Sequence, residues 1–154
     1  MNTTIRAATP ADLPQVLALY AQPGLDDGQV LPLAQAEAIF AAFARYPHYH
    51  LWVACDPLQP QRVLGSCALL VMHNLAHLGA PSAIVEDVVV DHAWRGQGIG
   101  RQLMAHAMAE AQAAGCYKLA LSSNGKRERA HAFYESLGFQ RHGVSFVIET
   151  PTSP

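Results

Sequence analysis

Residues 95–100 read R-G-Q-G-I-G and follow the apolar run I-V-E-D-V-V-V. A turn rich in glycine between a strand and a helix is an anion site by construction. The first turn of a helix exposes unpaired N–H groups and a partial positive charge, and glycine lets a phosphate approach that backbone closely. The carboxylates Glu86 and Asp87 stand inside the apolar run. Ionised groups there are costly unless hydrogen-bonded or put to work. Being adjacent on a strand, they are expected to point to opposite faces. His73 and His77 flank N-L-A just upstream, at a spacing that could set both on one helical turn and hold a metal, although no third ligand accompanies them.

The turn fits neither of two common nucleotide patterns. A dinucleotide fingerprint counted from Gly96 and Gly98 would need a third glycine at Arg101, and the G-K pair at Gly125–Lys126 runs into Arg127 instead of Ser or Thr. A third pattern, [RQ]-x-x-G-x-[GA], is met by Arg95, Gly98 and Gly100.

The elements that must position these groups read as follows. T-T-I-R-A-A is a strand. Thr9 is a natural N-cap for a helix running to Tyr20, with Pro10 at its first position and Asp12 in its first turn. Residues 31–45 form a second helix with Leu33, Ala36, Ile39, Phe40 and Phe43 on one face. H-L-W-V-A-C and R-V-L-G-S-C-A-L-L-V are strands around D-P-L-Q-P-Q, and 73–82 is irregular. After I-V-E-D-V-V-V, a helix over 97–114 sets Ile99, Leu103, Ala107 and Ala111 on one face and closes at Gly115. Y-K-L-A-L-S is a strand, R-E-R-A-H-A-F-Y-E-S-L a helix, and F-Q-R-H-G-V-S-F-V-I (139–148) a last strand. The order β-α-α-β-β-β-α-β-α-β, without repeats or linkers, reads as one mixed α/β domain over 1–154.

Composition fits that reading. Of 154 residues 51% are hydrophobic and 14% charged, which argues for a packed core and against disorder. No apolar run reaches a membrane span, and the N-terminus has no signal core. Cys55, Cys67 and Cys116, an odd set with no C-x-x-C, read as reduced thiols in a cytoplasmic protein. A net charge of −2 and no basic stripe interleaved with aromatics argue against a nucleic-acid partner. The charge is uneven. Residues 1–94 carry 3 Arg and no Lys against 8 Asp and Glu, whereas residues 95–141 carry 7 Lys and Arg against 3 Glu. The basic stretch suits an anionic ligand, and the acidic remainder a cationic one.

The pattern at Arg95, Gly98 and Gly100, the approach V-V-D-H-A-W-R-G and the later A-H-A-F-Y-E-S-L-G-F (130–139) together resemble the GNAT acyltransferase superfamily, over roughly residues 3–148. The resemblance implies a mixed sheet whose neighbouring parallel strands splay to admit acetyl-CoA. The backbone of Val88, Val89 and Val90 would pair with the pantetheine arm, in the manner of strand addition. The N–H groups of Gln97, Gly98, Ile99, Gly100 and Arg101, with Arg95 and Gly96 shaping the turn, would hold the pyrophosphate. Lys126 and Arg127 would meet the 3′-phosphate. Where the family often has Asn, this chain has Arg127, with its nearest Asn at Asn124, so the loop S-S-N-G-K-R differs in detail.

The implied chemistry is attack of a neutral amine on a thioester. It needs a base for the amine, help for the developing oxyanion and a proton for the thiolate. Tyr134 is the expected acid and Glu86 the expected base through a water, with Asp87 second. The acceptor is expected to be a small amine, with His73 and His77 lining its pocket. Local wording resembles two branches, glucosamine-6-phosphate and aminoalkylphosphonate acetyltransferases, so a phosphate or phosphonate on the acceptor would meet Arg129, His131 or Arg141. The acidic first half points instead to an unadorned cation such as a polyamine or a peptide amine. A non-catalytic acetyl-CoA sensor or subunit is the alternative. A dinucleotide oxidoreductase is disfavoured by the failed fingerprint. The family is often dimeric, and strand 139–148 could pair across a homodimer interface.

Overall fold

In the computed structural model, which describes residues 1–152, strand β1 (Thr4–Ala7) leads into a cap built on a buried carboxylate. The Thr9 backbone N–H and Oγ1 donate to Asp12 Oδ2 at 2.7 and 3.1 Å, and Arg6 reaches both oxygens of the same carboxylate at 2.7 and 2.8 Å. Thr9 is therefore the cap expected. The helix begins as a single 3-10 turn, Pro10–Asp12, before α1 (Leu13–Tyr20). Arg6 holds the Asp12 carboxyl below its ordinary 3.8. Helix α2 (Leu33–Ala42) follows, and its expected face holds only in part. Ala36 is buried and Phe40 and Phe43 pack on the core, whereas Leu33 and Ile39 stay exposed. They flank a contact stripe made narrow by alanine.

Strands β2 (Tyr49–Asp56), β3 (Gln59–Met72) and β4 (Ser82–Val90) form an antiparallel meander with β1, and β5 (Leu119–Ala120) adds parallel to β4, in the order β1-β2-β3-β4-β5. One face packs on α1, where Leu13, Val16 and Leu19 meet Leu51, Val53 and Ala68. Helix α3 (Ile99–Ala113) is the other main helix against the sheet, and the face read from the sequence is buried in full, with Met104 added. Gly65 allows that approach. A Cβ there would stand 2.9 Å from the Val89 carbonyl oxygen and 3.1 Å from Leu103 Cδ1. Among the described residues, no helix is long and apolar enough to cross a membrane.

Contacts divide the chain into two compact units, Met1–Leu121 and a second beginning at Ser122. The second holds α4 (Glu128–Ser136), closed at Gly138 with φ 94°. The last strand expected over 139–148 does not form. Among the described residues no strand follows Ala120, and Val144, Phe146, Val147 and Ile148 are 79–91% exposed. Apolar alternation supplies a face but no ladder, and a strand without a paired neighbour has nothing to hold its backbone. The strand expected over 117–122 is likewise shorter, with only Leu119 and Ala120 in β5.

Asp12→Ala should cost about 2 kcal/mol, because it leaves the partly exposed Arg6 without its partner and the cap without its acceptor. Since the folded-state value of Asp12 is depressed, its contribution is present above the unfolded value and lost as pH falls through the folded one. Urea melts at pH 7 and pH 2.5 check both statements, with the difference between wild type and variant shrinking at the lower pH. Gly65→Ala should cost roughly 1–3 kcal/mol by overpacking, read by the same melts.

Candidate functional site

Two backbone features meet at the end of β4. On one side β4 pairs with β3 along its length, but on the other β5 reaches only Ala83 and Ile84. From Val85 to Val90 the second edge has no strand partner among the described residues. The chain then turns at Asp91, whose Oδ1 accepts the Ala93 N–H at 2.9 Å, and passes Gly96 (φ 77°) and Gly98 (φ 83°) into α3. Both glycines serve the left-handed backbone, since a Cβ at Gly96 would touch nothing within 4 Å. The first i to i−4 bond of α3 is Gln102 N–H to Gly98 O at 3.1 Å, so the amides of Ile99 and Gly100 lie ahead of it at the positive end of a helix with no acidic residue in its first turn. An extended edge running into a cationic, acid-free turn fits a ligand with an amide-bearing arm and a diphosphate. Val90 fits less well than Val88 and Val89, because its carbonyl already accepts from Gln22 Nε2 at 3.3 Å and Arg95 Nε at 3.4 Å.

The two carboxylates do not simply alternate. Ser66 pairs with Val89 and Ala68 with Glu86, so Asp87 and Val88 together oppose Cys67 in a bulge, with Asp87 at φ 52°. The bulge at Asp87 breaks the simple alternation on which the expectation of opposite faces rests. The row Leu51–Ala68–Glu86 sets Glu86 on the face that α1 covers. Burial raises the Asp87 carboxyl, and the Asp26 charge raises it further; burial, then Asp87, raise Glu86. Two phenols share the field. Tyr20 is pushed up by burial and then by Asp87, with the Ser66 hydroxyl opposing, and Tyr49 is pushed up by burial, Asp87, Tyr46 and Glu86.

His73 and His77 are exposed and do not share a helical turn. His77 (φ 53°) and Leu78 (φ 58°) take left-handed backbone, and the His77 ring stacks on Tyr117 at 4.1 Å. Among the described residues no group of three or more His, Cys, Asp or Glu side chains could hold a metal ion.

In the second unit, Asn124 organises the loop ahead of α4. Its Oδ1 accepts the Lys126 N–H at 2.9 Å, and its carbonyl accepts the Arg127 N–H at 3.0 Å and lies 2.8 Å from His131 Nε2. Asn124 is thus committed to the turn, while Lys126, Arg127 and Arg129 are exposed. Tyr134 is half-buried between Phe133 and Phe139, at 5.2 and 6.0 Å between ring centroids. Arg141 is paired with Glu135 at 2.7 Å.

Residues 47–141 match the model of the acetyltransferase (GNAT) domain. The chain belongs to the GNAT acetyltransferase family. It is 37% identical over 81 residues to a glucosamine 6-phosphate N-acetyltransferase of Trypanosoma brucei brucei, a match spanning 53% of this chain and only 53% of that relative. It is 30% identical over 156 residues to an aminoglycoside N(6′)-acetyltransferase type 1 of Stenotrophomonas maltophilia, covering 98% of this chain and 95% of that one. Among solved structures, a Trypanosoma brucei acetyltransferase superposes with a TM-score of 0.82 at 27% identity, covering 97% of this chain and 100% of the other.

Within this GNAT domain several positioning residues carry no local sequence signal. Gln102 Oε1 accepts the Thr3 N–H and Oγ1 at 2.8 and 2.9 Å while its Nε2 donates to Met1 O at 2.6 Å, fastening the N-terminal segment to the start of α3. Tyr20 and Tyr49 reach the carboxylates only through the tertiary fold.

Carboxyl-selective NMR titration should place both Glu86 and Asp87 above their ordinary 4.5 and 3.8. Asp26→Asn should lower the Asp87 value, because it removes a like charge. An unchanged Asp87 titration would separate the two groups.

Proposed function

We propose that this GNAT domain is an acetyl-CoA-dependent N-acetyltransferase acting on the primary amine of a small molecule. The observation that carries the reading is the unpartnered β4 edge running into the left-handed glycine turn at the start of α3. Val88 and Val89 would pair with the pantetheine arm and Gln97–Arg101 would hold the diphosphate, with Arg95 beside them and Lys126 and Arg127 toward the 3′-phosphate. When bound, acetyl-CoA supplies an activated acetyl thioester.

This chain's own groups handle the protons. Glu86, through a water, takes the proton from the acceptor amine, and Asp87 is the second candidate; burial strengthens both as bases, with Asp87 adding to the effect on Glu86 and Asp26 to that on Asp87. Tyr134 Oη, at the family's tyrosine position, holds the proton that the leaving sulfur needs. The family match crosses the boundary at Ser122, which supports treating 1–154 as one functional domain. The reading places the protein in the cytoplasm. It also takes a second copy as the partner of segment 139–148, whose exposed Val144, Phe146 and Ile148 alternate as a strand does.

CoA thiol release against a panel of amines should depend on the amine added, and Tyr134→Phe should reduce kcat about 100-fold with acetyl-CoA binding retained. Glu86→Gln should flatten the acidic limb of the kcat/KM profile. An unchanged rate in Tyr134→Phe would remove the assignment of the acid. Sedimentation should give a dimer that Phe146→Asp converts to monomer; a wild-type monomer would remove the second copy.

A further inference from the structure

A cleft of about 830 Å³ opens between α2 with its following turn and the start of β2. Aromatic rings wall it. Phe43 and Tyr49 stack at 4.0 Å, Phe40 lies 5.8 Å from Phe43, and Tyr46 stands edge-on to Tyr49 at 5.3 Å. The lining includes one carboxylate, Glu37, and no Lys or Arg. His50, the imidazole on the lining, is pushed down by burial and then by His48, with Glu110 opposing.

The cleft is tied to the carboxylates through the sheet. Leu51, on its wall, shares a row with Ala68 and Glu86, two strand spacings or roughly 10 Å across. Tyr49, also on the wall, feels the charges of both Asp87 and Glu86.

A phosphate or phosphonate in this cleft would find no cation to neutralise it and would meet Glu37. An ammonium would find a counter-charge and the negative faces of aromatic rings. We infer, resting on the acetyltransferase reading above, that this cleft receives the body of the acceptor and that the acceptor is a di- or polyamine. Its second ammonium is held by Glu37 against the aromatic wall, while its reacting nitrogen lies at Glu86, across the sheet from Leu51. The acidic balance of residues 1–94 is then a selection filter: it attracts polycations and repels the anionic acceptors used by proteins such as the Trypanosoma relative.

The test compares steady-state kinetics for diamines of graded length, monoamines of matched length, an aminoalkylphosphonate and glucosamine 6-phosphate. It uses wild type, Glu37→Gln and Glu37→Asp. Glu37 is exposed on α2, so the variants should melt as wild type does. The expected result is a kcat/KM about tenfold or more higher for the best diamine than for its monoamine match. Glu37→Gln should raise KM for the diamine about tenfold with kcat nearly unchanged, leave the monoamine alone, and be partly rescued by Glu37→Asp. Highest kcat/KM for either phosphorus-bearing amine, or a diamine KM indifferent to Glu37→Gln, would overturn this inference while leaving the acetyltransferase intact. Acetyl-CoA binding with no turnover of any amine would overturn both.

Discussion

The structure turns on a strand paired along only one edge. β4 is laddered to β3 on both sides of a bulge, but its parallel neighbour β5 lasts two residues, so from Val85 to Val90 the other edge has no strand partner among the described residues. An open edge beside a core is a liability unless something fills it. The glycine turn follows within a few residues, and much of the first unit keeps that turn in place. Gly65 lets α3 lie close on β3, Ile99 and Leu103 lock it there, and Gln102 fastens its first turn to the chain's beginning. The Asp12–Arg6 pair, with its carboxylate buried and its guanidinium partly exposed, does similar work at the far edge, joining β1 to the entry of α1.

The second constraint is electrostatic. A bulge in β4 interrupts alternation where Glu86 and Asp87 occur, and α1 together with the loop after it brings Tyr20 and Asp26 to bear on the same spot. Burial raises both carboxyls, and each also feels a neighbouring carboxylate, Glu86 that of Asp87 and Asp87 that of Asp26. Such a site disfavours additional negative charge and favours a cation that can give up a proton. The aromatic cleft around Tyr49 lies along the same face of the sheet.

Much of this was legible in the sequence wherever the signal is local. The cap at Thr9, the apolar stripe of α3 and its closure at Gly115 follow from spacing and residue type, and the structure keeps all of them. Features that depend on a distant partner were not legible. β5 is short and 139–148 is no strand because ladders are non-local, and alternation says nothing of what lies alongside. The Asp87 bulge is invisible in I-V-E-D-V-V-V, since it is defined by register against Ser66 and Ala68. Tyr20, Tyr49 and Glu37 look like ordinary helix and strand residues until the fold sets them around one face.

The central claim is that the open edge of β4 and the turn after it form the acetyl-CoA site. Amide hydrogen exchange with and without acetyl-CoA tests this most directly. The account predicts protection concentrated in residues 85–90 and 97–101, with the first helix pair nearly unaffected. Saturating binding that leaves those two segments unprotected, or no binding at all, would contradict it.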